Sequence, residues 1–309
     1  MNGPGTPLTA PARAGGAGAP GPSASGDRVV ALDALRGIAV AGIALMNVYI
    51  FALPPAAYFN PAVAGSDGPL DWMVWALSFV FVEDKFRSLF AMLFGAGVAI
   101  LMDRARARGA AHPVREHIAR MVVLFAIGAA HAILLANNDV LRLYAMAGLV
   151  LPLFLALNGR WLFIAGAMLM AMHVVGGSLL AFLWLTAEPG STLALLPAQT
   201  FGADPLALDY ARMIGTEDFG ARMVRRTVGF FAALQTQVPG IPSTLAMMLV
   251  GAGLWRAGLL RGVWERSRCF ALAGRMALVA LPPLAAMMVL DVQAGFAGAM
   301  VGPVALFWS

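Results

Sequence analysis

The chain has 309 residues, 60% of them hydrophobic and 12% charged, with a net charge of +5 and a mean hydropathy of +0.79. Soluble domains are about 45–50% apolar and about 25% charged, so this composition excludes an ordinary water-soluble fold. The single Cys269 excludes an internal disulfide and any Cys-based metal site and leaves the redox compartment unread.

Residues 1–26 are mainly Gly, Ala, Pro and Ser with Arg13 as the one charge, which reads as a disordered cytoplasmic tail. They lack a basic segment leading into an apolar run and cleavage site, so no signal peptide is expected. The first span is expected at about Gly37–Leu53, introduced by Arg28, Asp33 and Arg36 and stopped by Pro54-Pro55. The connection 54–82 carries Asp67 and Asp71 and no basic residue. Its apolar piece Trp72–Val82 is too short to span alone. It reads as a re-entrant or interfacial helix, or as the first half of a long kinked one.

FVEDKFRSLFAMLFGAGVAIL (Phe81–Leu101) then stacks Glu83, Asp84, Lys85 and Arg87 at one end of an apolar helix bearing Gly95 and Gly97. Lys85 is the one lysine of the chain. Span two is expected at about Phe86–Met102, followed by a loop rich in arginine (Arg104, Arg106, Arg108, Arg115, Arg120). Spans three to five follow at about Ile118–Ala136, Val140–Leu157 and Trp161–Leu185. A single helix over 222–257 would be about 54 Å long against a ~30 Å hydrocarbon core. Pro239 and Pro242 therefore divide it into an interfacial helix and span six, about Val238–Trp255. Spans seven (about Phe270–Leu290) and eight (Ala294–Trp308) complete the pattern.

The fold class expected is thus all-α: a polytopic transmembrane bundle of about eight spans plus interfacial helices. Its parts are the tail 1–26, a five-span bundle 27–185, an extracytoplasmic loop with an interfacial helix 186–237, and a shortened C-terminal part 238–309. Basic and acidic loops alternate, which fits a cytoplasmic N-terminus and eight crossings. The same rule explains the arginines without nucleic acid as a partner.

Helical rise then sets depth. His131 falls about 20 Å from the cytoplasmic start of span three, and His173 about 18 Å into span five. Asn47, Glu83, Asp84, Lys85, Arg87, Asp139, Arg142 and Tyr144 fall in the same outer slab. Ionisable groups cost about 2.5–3.5 kcal/mol each at the bilayer centre, so they must face protein or a wet cavity. A second set, Asp33 and Arg36 with the basic loops, gathers at the cytoplasmic face, where arginine forks suit phosphate. Each residue also has a plainer reading. A histidine in an apolar helix commonly packs; Asp33 with Arg36 makes an interfacial ion pair; Glu83 to Arg87 start a solvated helix; Gly95 and Gly97 serve close packing.

LDALRGIAVAGIALMN (Leu32–Asn47), EDKFRSLFAMLFGAG (Glu83–Gly97), IGAAHAILLANNDVLRLYAMAG (Ile127–Gly148) and MMLVGAGLWRAGLL (Met247–Leu260) resemble the YeiB-type bacterial membrane proteins, whose C-terminal part is a domain of unknown function. They are more distantly similar to transmembrane acyltransferases such as the heparan-glucosaminide acetyltransferase. The resemblance implies that Asp33, Arg36, Asn47, Lys85, Ser88, His131, Asp139 and Tyr144 sit at family motif positions. The chain departs from the acetyltransferases in having no histidine between its first two spans, and from YeiB-like chains in stopping at Ser309 within an apolar segment.

Two functions are expected from these features. In the first, a membrane-embedded acyltransferase moves an acyl group from cytoplasmic acyl-CoA, its co-substrate, to a small outward-facing acceptor. His131 is the general base, Asp139 fixes its tautomer, and Lys85 or Asn47 stabilises the oxyanion. Asp33, Arg36, Glu83, Arg87, Arg142 and Tyr144 bind substrate. In the second, a proton-coupled carrier uses Glu83, Lys85, His131 and Asp139. No inverted repeat is legible, which weighs modestly against the carrier. A third, non-catalytic reading is a scaffold in which the buried charges only pair. No G-x-x-x-x-G-K-[ST], G-x-S-x-G or H-E-x-x-H motif is present, so nucleotide hydrolysis, a soluble-type esterase and a zinc peptidase lack support.

Overall fold

A computed structural model describes residues 23–65, 68–136 and 139–308. The tail expected over 1–26 lies outside the described residues up to position 22. The described residues are helical, with no strand among them. Helix α1 (Ser23–Ala52) ends before Pro54-Pro55. Two 3₁₀ turns (Pro55–Tyr58 and Pro61–Ala64) lead to α2 (Pro69–Phe81) and α3 (Lys85–Ala107). α4 (Pro113–Leu134), α5 (Val140–Val150, continued by a 3₁₀ turn to Leu153) and α6 (Gly159–Thr186) follow.

The stretch 186–237, expected as a loop followed by an interfacial helix, holds α7 (Thr192–Phe201), α8 (Pro205–Gly215), α9 (Phe219–Val228) and α10 (Phe230–Gln235). α11 (Ile241–Arg256), α12 (Arg266–Gln293) and α13 (Gly298–Pro303) complete the order, with a π-helical turn Val304–Trp308 after α13. Six stretches are long and apolar enough to cross a membrane, and Val140–Leu153 and Gly298–Phe307 are shorter apolar helices. The arrangement is that of a helical membrane bundle.

Two expected spans come out short. At 1.5 Å per residue α5 is only about 16 Å long, because Pro152 turns its end into a 3₁₀ turn. α13 ends at Pro303, where a π-helical turn takes over. α2 is a helix of its own, and the chain breaks sharply at Val82–Asp84, where Asp84 takes φ +58°. Pro242 sits in the first turn of α11, where a missing N–H costs nothing.

The centre of the bundle is α11, half of it buried between α3 and α6. Its small residues permit this. A Cβ at Gly95 would run into the Met248 backbone, and one at Gly251 into that of Met92. Where lipid offers apolar contact as good as a leucine's, such close backbone approach is what holds helices together. Around it, Val98, Leu143, Tyr144, Leu162, Leu245 and Leu249 form the main core. A second aromatic cluster joins Trp184, Phe201 and Phe296.

Candidate functional site

Asp139 is the N-cap of α5, and its carboxylate accepts from the backbone N–H groups of Leu141 and Arg142. An anion there also meets the positive end of the helix dipole. The Arg142 Nε lies 3.3 Å from the same carboxylate, and both side chains are 0% exposed. Gly128 of α4 makes room, since a Cβ there would come within 2.7 Å of Asp139 Oδ2. From α4, His131 places Nδ1 3.5 Å from Asp139 Oδ1, while its side chain remains 37% exposed. Two later elements close over the group. Gln237 donates to the Asp139 carbonyl at 2.8 Å, and the Arg142 guanidinium lies over the Phe230 ring.

A second polar cluster forms at the α2–α3 break. Arg87 grips Asp84 with both Nε and Nη2 and reaches Thr244 Oγ1 of α11 at 3.3 Å. The Lys85 ammonium donates to the Phe79 carbonyl at 3.0 Å, a group left without a helical partner at the end of α2. Glu83 is buried at 4% exposure, and one of its oxygens has no hydrogen-bond partner among the described residues. Tyr58 approaches from the first connection. Burial, then the Glu83 and Asp84 carboxylates, raise its pKa, so its phenol stays neutral.

Tyr144 joins the two clusters: it belongs to α5, as Arg142 does, and its hydroxyl donates to the Arg87 carbonyl at 2.7 Å. The expected outer slab therefore contains two linked groups. One is His131, Asp139 and Arg142; the other is Glu83, Asp84, Lys85 and Arg87 with Tyr144. Lys85 is held within the second group and His131 within the first. Asn47 is partly buried on α1. Asp33 and Arg36 pair with each other at 2.8 Å on the surface, away from both groups, with Arg36 Nη2 lying against Gly97 of α3. The other expected histidine, His173, bonds the Leu306 carbonyl and packs on Phe307. No metal-binding cluster of His, Cys, Asp or Glu occurs among the described residues.

Three polar residues had no sequence signal. Asn60 is buried and donates to the carbonyls of both Phe201 and Phe296. Thr244 reads as one small residue in an apolar run. Asp291 reads as a loop marker, yet it is 2% exposed at the end of α12, with one oxygen lacking a hydrogen-bond partner among the described residues.

No family model and no solved structure matches the chain. Among curated proteins it is 32% identical over 272 residues, 86% of its length, to "Uncharacterized protein YeiB" of Escherichia coli (strain K12). It is 31% identical over 140 residues to "Uncharacterized protein YxaH" of Bacillus subtilis (strain 168). It is 32% identical over 130 residues to an "Uncharacterized 39.9 kDa protein in amylase 3'region" of Bacillus acidopullulyticus. The chain spans 66% of the E. coli relative and 34% and 35% of the other two. Similarity over 86% of its length makes this chain a homologue of the YeiB-family proteins.

Proposed function

We propose that the chain is a membrane-embedded acyltransferase of the bacterial inner membrane, N-terminus cytoplasmic, with His131 as its general base. The observation that carries this is the half-open His131 ring facing a fully buried Asp139 carboxylate. Asp139 is itself fixed by Arg142 and by the start of α5. Nδ1 makes no hydrogen bond among the described residues at this 3.5 Å separation; closing of the gap as substrate binds would hold Nδ1 protonated and leave Nε2 free to take a proton.

In the reaction, Nε2 accepts the proton of an acceptor hydroxyl or amine as that atom attacks the thioester carbonyl of acyl-CoA. The C–S bond breaks, and the CoA sulfur leaves with the proton His131 returns. Lys85 keeps donors in reserve beyond the one given to Phe79, so it remains the candidate for the oxyanion, with Asn47. The resemblance of the His131 and Lys85 segments to transmembrane acyltransferases supports the same reading. Purified protein in vesicles with acyl-CoA tests it: His131→Ala is expected to lose acyl transfer and Asp139→Asn to retain little. Undiminished transfer by His131→Ala removes the histidine from the mechanism.

A second reading, a proton-coupled carrier of a small metabolite, is favoured by Glu83 and Asp291, two buried carboxyl groups each with an oxygen lacking a hydrogen-bond partner among the described residues. It requires proton-dependent flux in the absence of acyl-CoA. Flux that survives Glu83→Gln with Asp291→Asn rules it out.

A further inference from the structure

Helices α3 and α11 carry one motif twice: LFAMLFGAG (Leu89–Gly97) and LAMMLVGAG (Leu245–Gly253). The neighbours repeat in the same order. AGIALM (Ala41–Met46) in α1 matches AGAMLM (Ala165–Met170) in α6. Arg120-Met121 in α4 matches Arg275-Met276 in α12, and AMAGLV (Ala145–Val150) in α5 matches AMVGPV (Ala299–Val304) in α13 and the turn after it. The extra helices α7 to α10 fall in the second half's connection, where the first half has its 3₁₀ turns and α2.

The geometry is reciprocal as well. Gly95 abuts Met248, and Gly251 abuts Met92, its equivalent. Gly97 faces Arg36 on α1, while Gly253 faces Phe163 on α6, so each lies against the first helix of its own half. α3 and α11 run parallel, since Arg87 meets Thr244 near their starts and Asp103 meets Arg256 near their ends. The halves have diverged in chemistry. At the positions of Lys85, Arg87 and His131 the second half has Ile241, Ser243 and Ala286.

We propose that the chain is a tandem parallel duplication whose halves, 23–153 and 159–308, rock about the Gly95–Gly251 crossing. The Arg87–Thr244 end opens as the Asp103–Arg256 end closes. At the crossing backbone meets backbone, with no interdigitated side chain to block rotation. Between the ends of α3 and α11 the packing is apolar, through Ala91, Val98, Leu245 and Leu249, and lipid is an equal partner for it. Hydrogen bonds from Asn60 to the Phe201 and Phe296 carbonyls, from Gln237 to the Asp139 carbonyl and from Arg226 to the Leu135 carbonyl also join the halves and must break or follow the motion. The two polar pairs between α3 and α11, by contrast, are long, 3.3 Å for Arg87 to Thr244 and 3.7 Å for Arg256 to Asp103. They flank the crossing, each about 12 Å from Gly95 along α3. Arg256 also holds the carbonyls of Leu155 and Leu157 in the linker between halves, which is where a hinge is needed. Parallel repeats related by an axis along the membrane normal are a known basis for such motion, with the site at their interface.

Pulsed electron-spin distances on the full chain in lipid nanodiscs test this without any substrate, so the outcome is separate from that of the acyl-transfer assay. In a Cys269→Ser background, nitroxides go on the exposed positions Leu135 and Glu188 at one end and Arg108 and Arg261 at the other. Two distance populations are expected at each end. Gly95→Ala and Gly251→Ala should both shift them, enriching the long distance at one end and the short one at the other. Gly176→Ala, where a Cβ meets open space, should leave them unchanged. A single population at both ends of the chain with native glycines overturns the proposal, whether or not the glycine variants fold.

Discussion

Two histidines of α4 do different work. His117 is 3% exposed and bonds the Gly148 carbonyl at 2.8 Å, tying α4 to α5. His131, nearly four turns further along the same helix, stands half open against Asp139. His117→Ala should therefore cost stability, about 0.6–1.7 kcal/mol on the scale of intramembrane hydrogen bonds, read as a lower midpoint in thermal unfolding in detergent. His131→Ala should leave that midpoint nearly unchanged and abolish acyl transfer. A large midpoint loss in His131→Ala would mean that the histidine serves packing instead. Asn60 makes a similar contrast with any surface amide. Its removal strands two buried carbonyls, so Asn60→Ala should lower stability by about 1–3 kcal/mol in the same measurement.

At the scale of elements, the break between α2 and α3 is built by Asp84. It tolerates a left-handed backbone better than most residues and pairs at once with Arg87. Asp84→Asn keeps the backbone preference and removes the charge, whereas Asp84→Ala loses both. The order of stability should be native, then Asn, then Ala. The α4–α5 pair depends on Gly128 in another way. A methyl there would push on Asp139 Oδ2 and the Arg142 N–H. Gly128→Ala should cost about 1–3 kcal/mol as overpacking, and it should depress transfer by displacing the carboxylate behind His131. The boundaries of these elements were readable where proline or glycine punctuates the chain, as at Pro54 and Pro242. The short length of α5 was not, because Val140–Leu157 is apolar apart from Arg142 and Tyr144 and only the turn at Pro152 ends the helix.

At the scale of the whole molecule, burial is uneven. The α11 window is 50% buried and the α12 window 11%. Exposed Phe270, Leu278 and Val279 give α12 an apolar outer surface that suits lipid. A nitroxide at Val279, in bilayers, should relax strongly with dissolved oxygen and weakly with an aqueous nickel chelate. The reverse would place this face in water. Since α3 and α11 meet through Gly95 and Gly251, substitution of either by leucine should prevent folded protein from accumulating. Gly176→Leu, facing open space, should be tolerated.

The all-helical class, the number of apolar segments and the gathering of charged groups near one end were legible in residue order. Lipid forces each crossing to satisfy its own backbone hydrogen bonds, so the length of an apolar run reports it directly. Which groups touch was not legible. Asn60 finds Phe201 and Phe296, Tyr144 finds Arg87, and Arg87 finds Thr244 across long separations in sequence. Those pairings depend on how helices rotate and cross, and close glycine contacts set that, which no local pattern encodes.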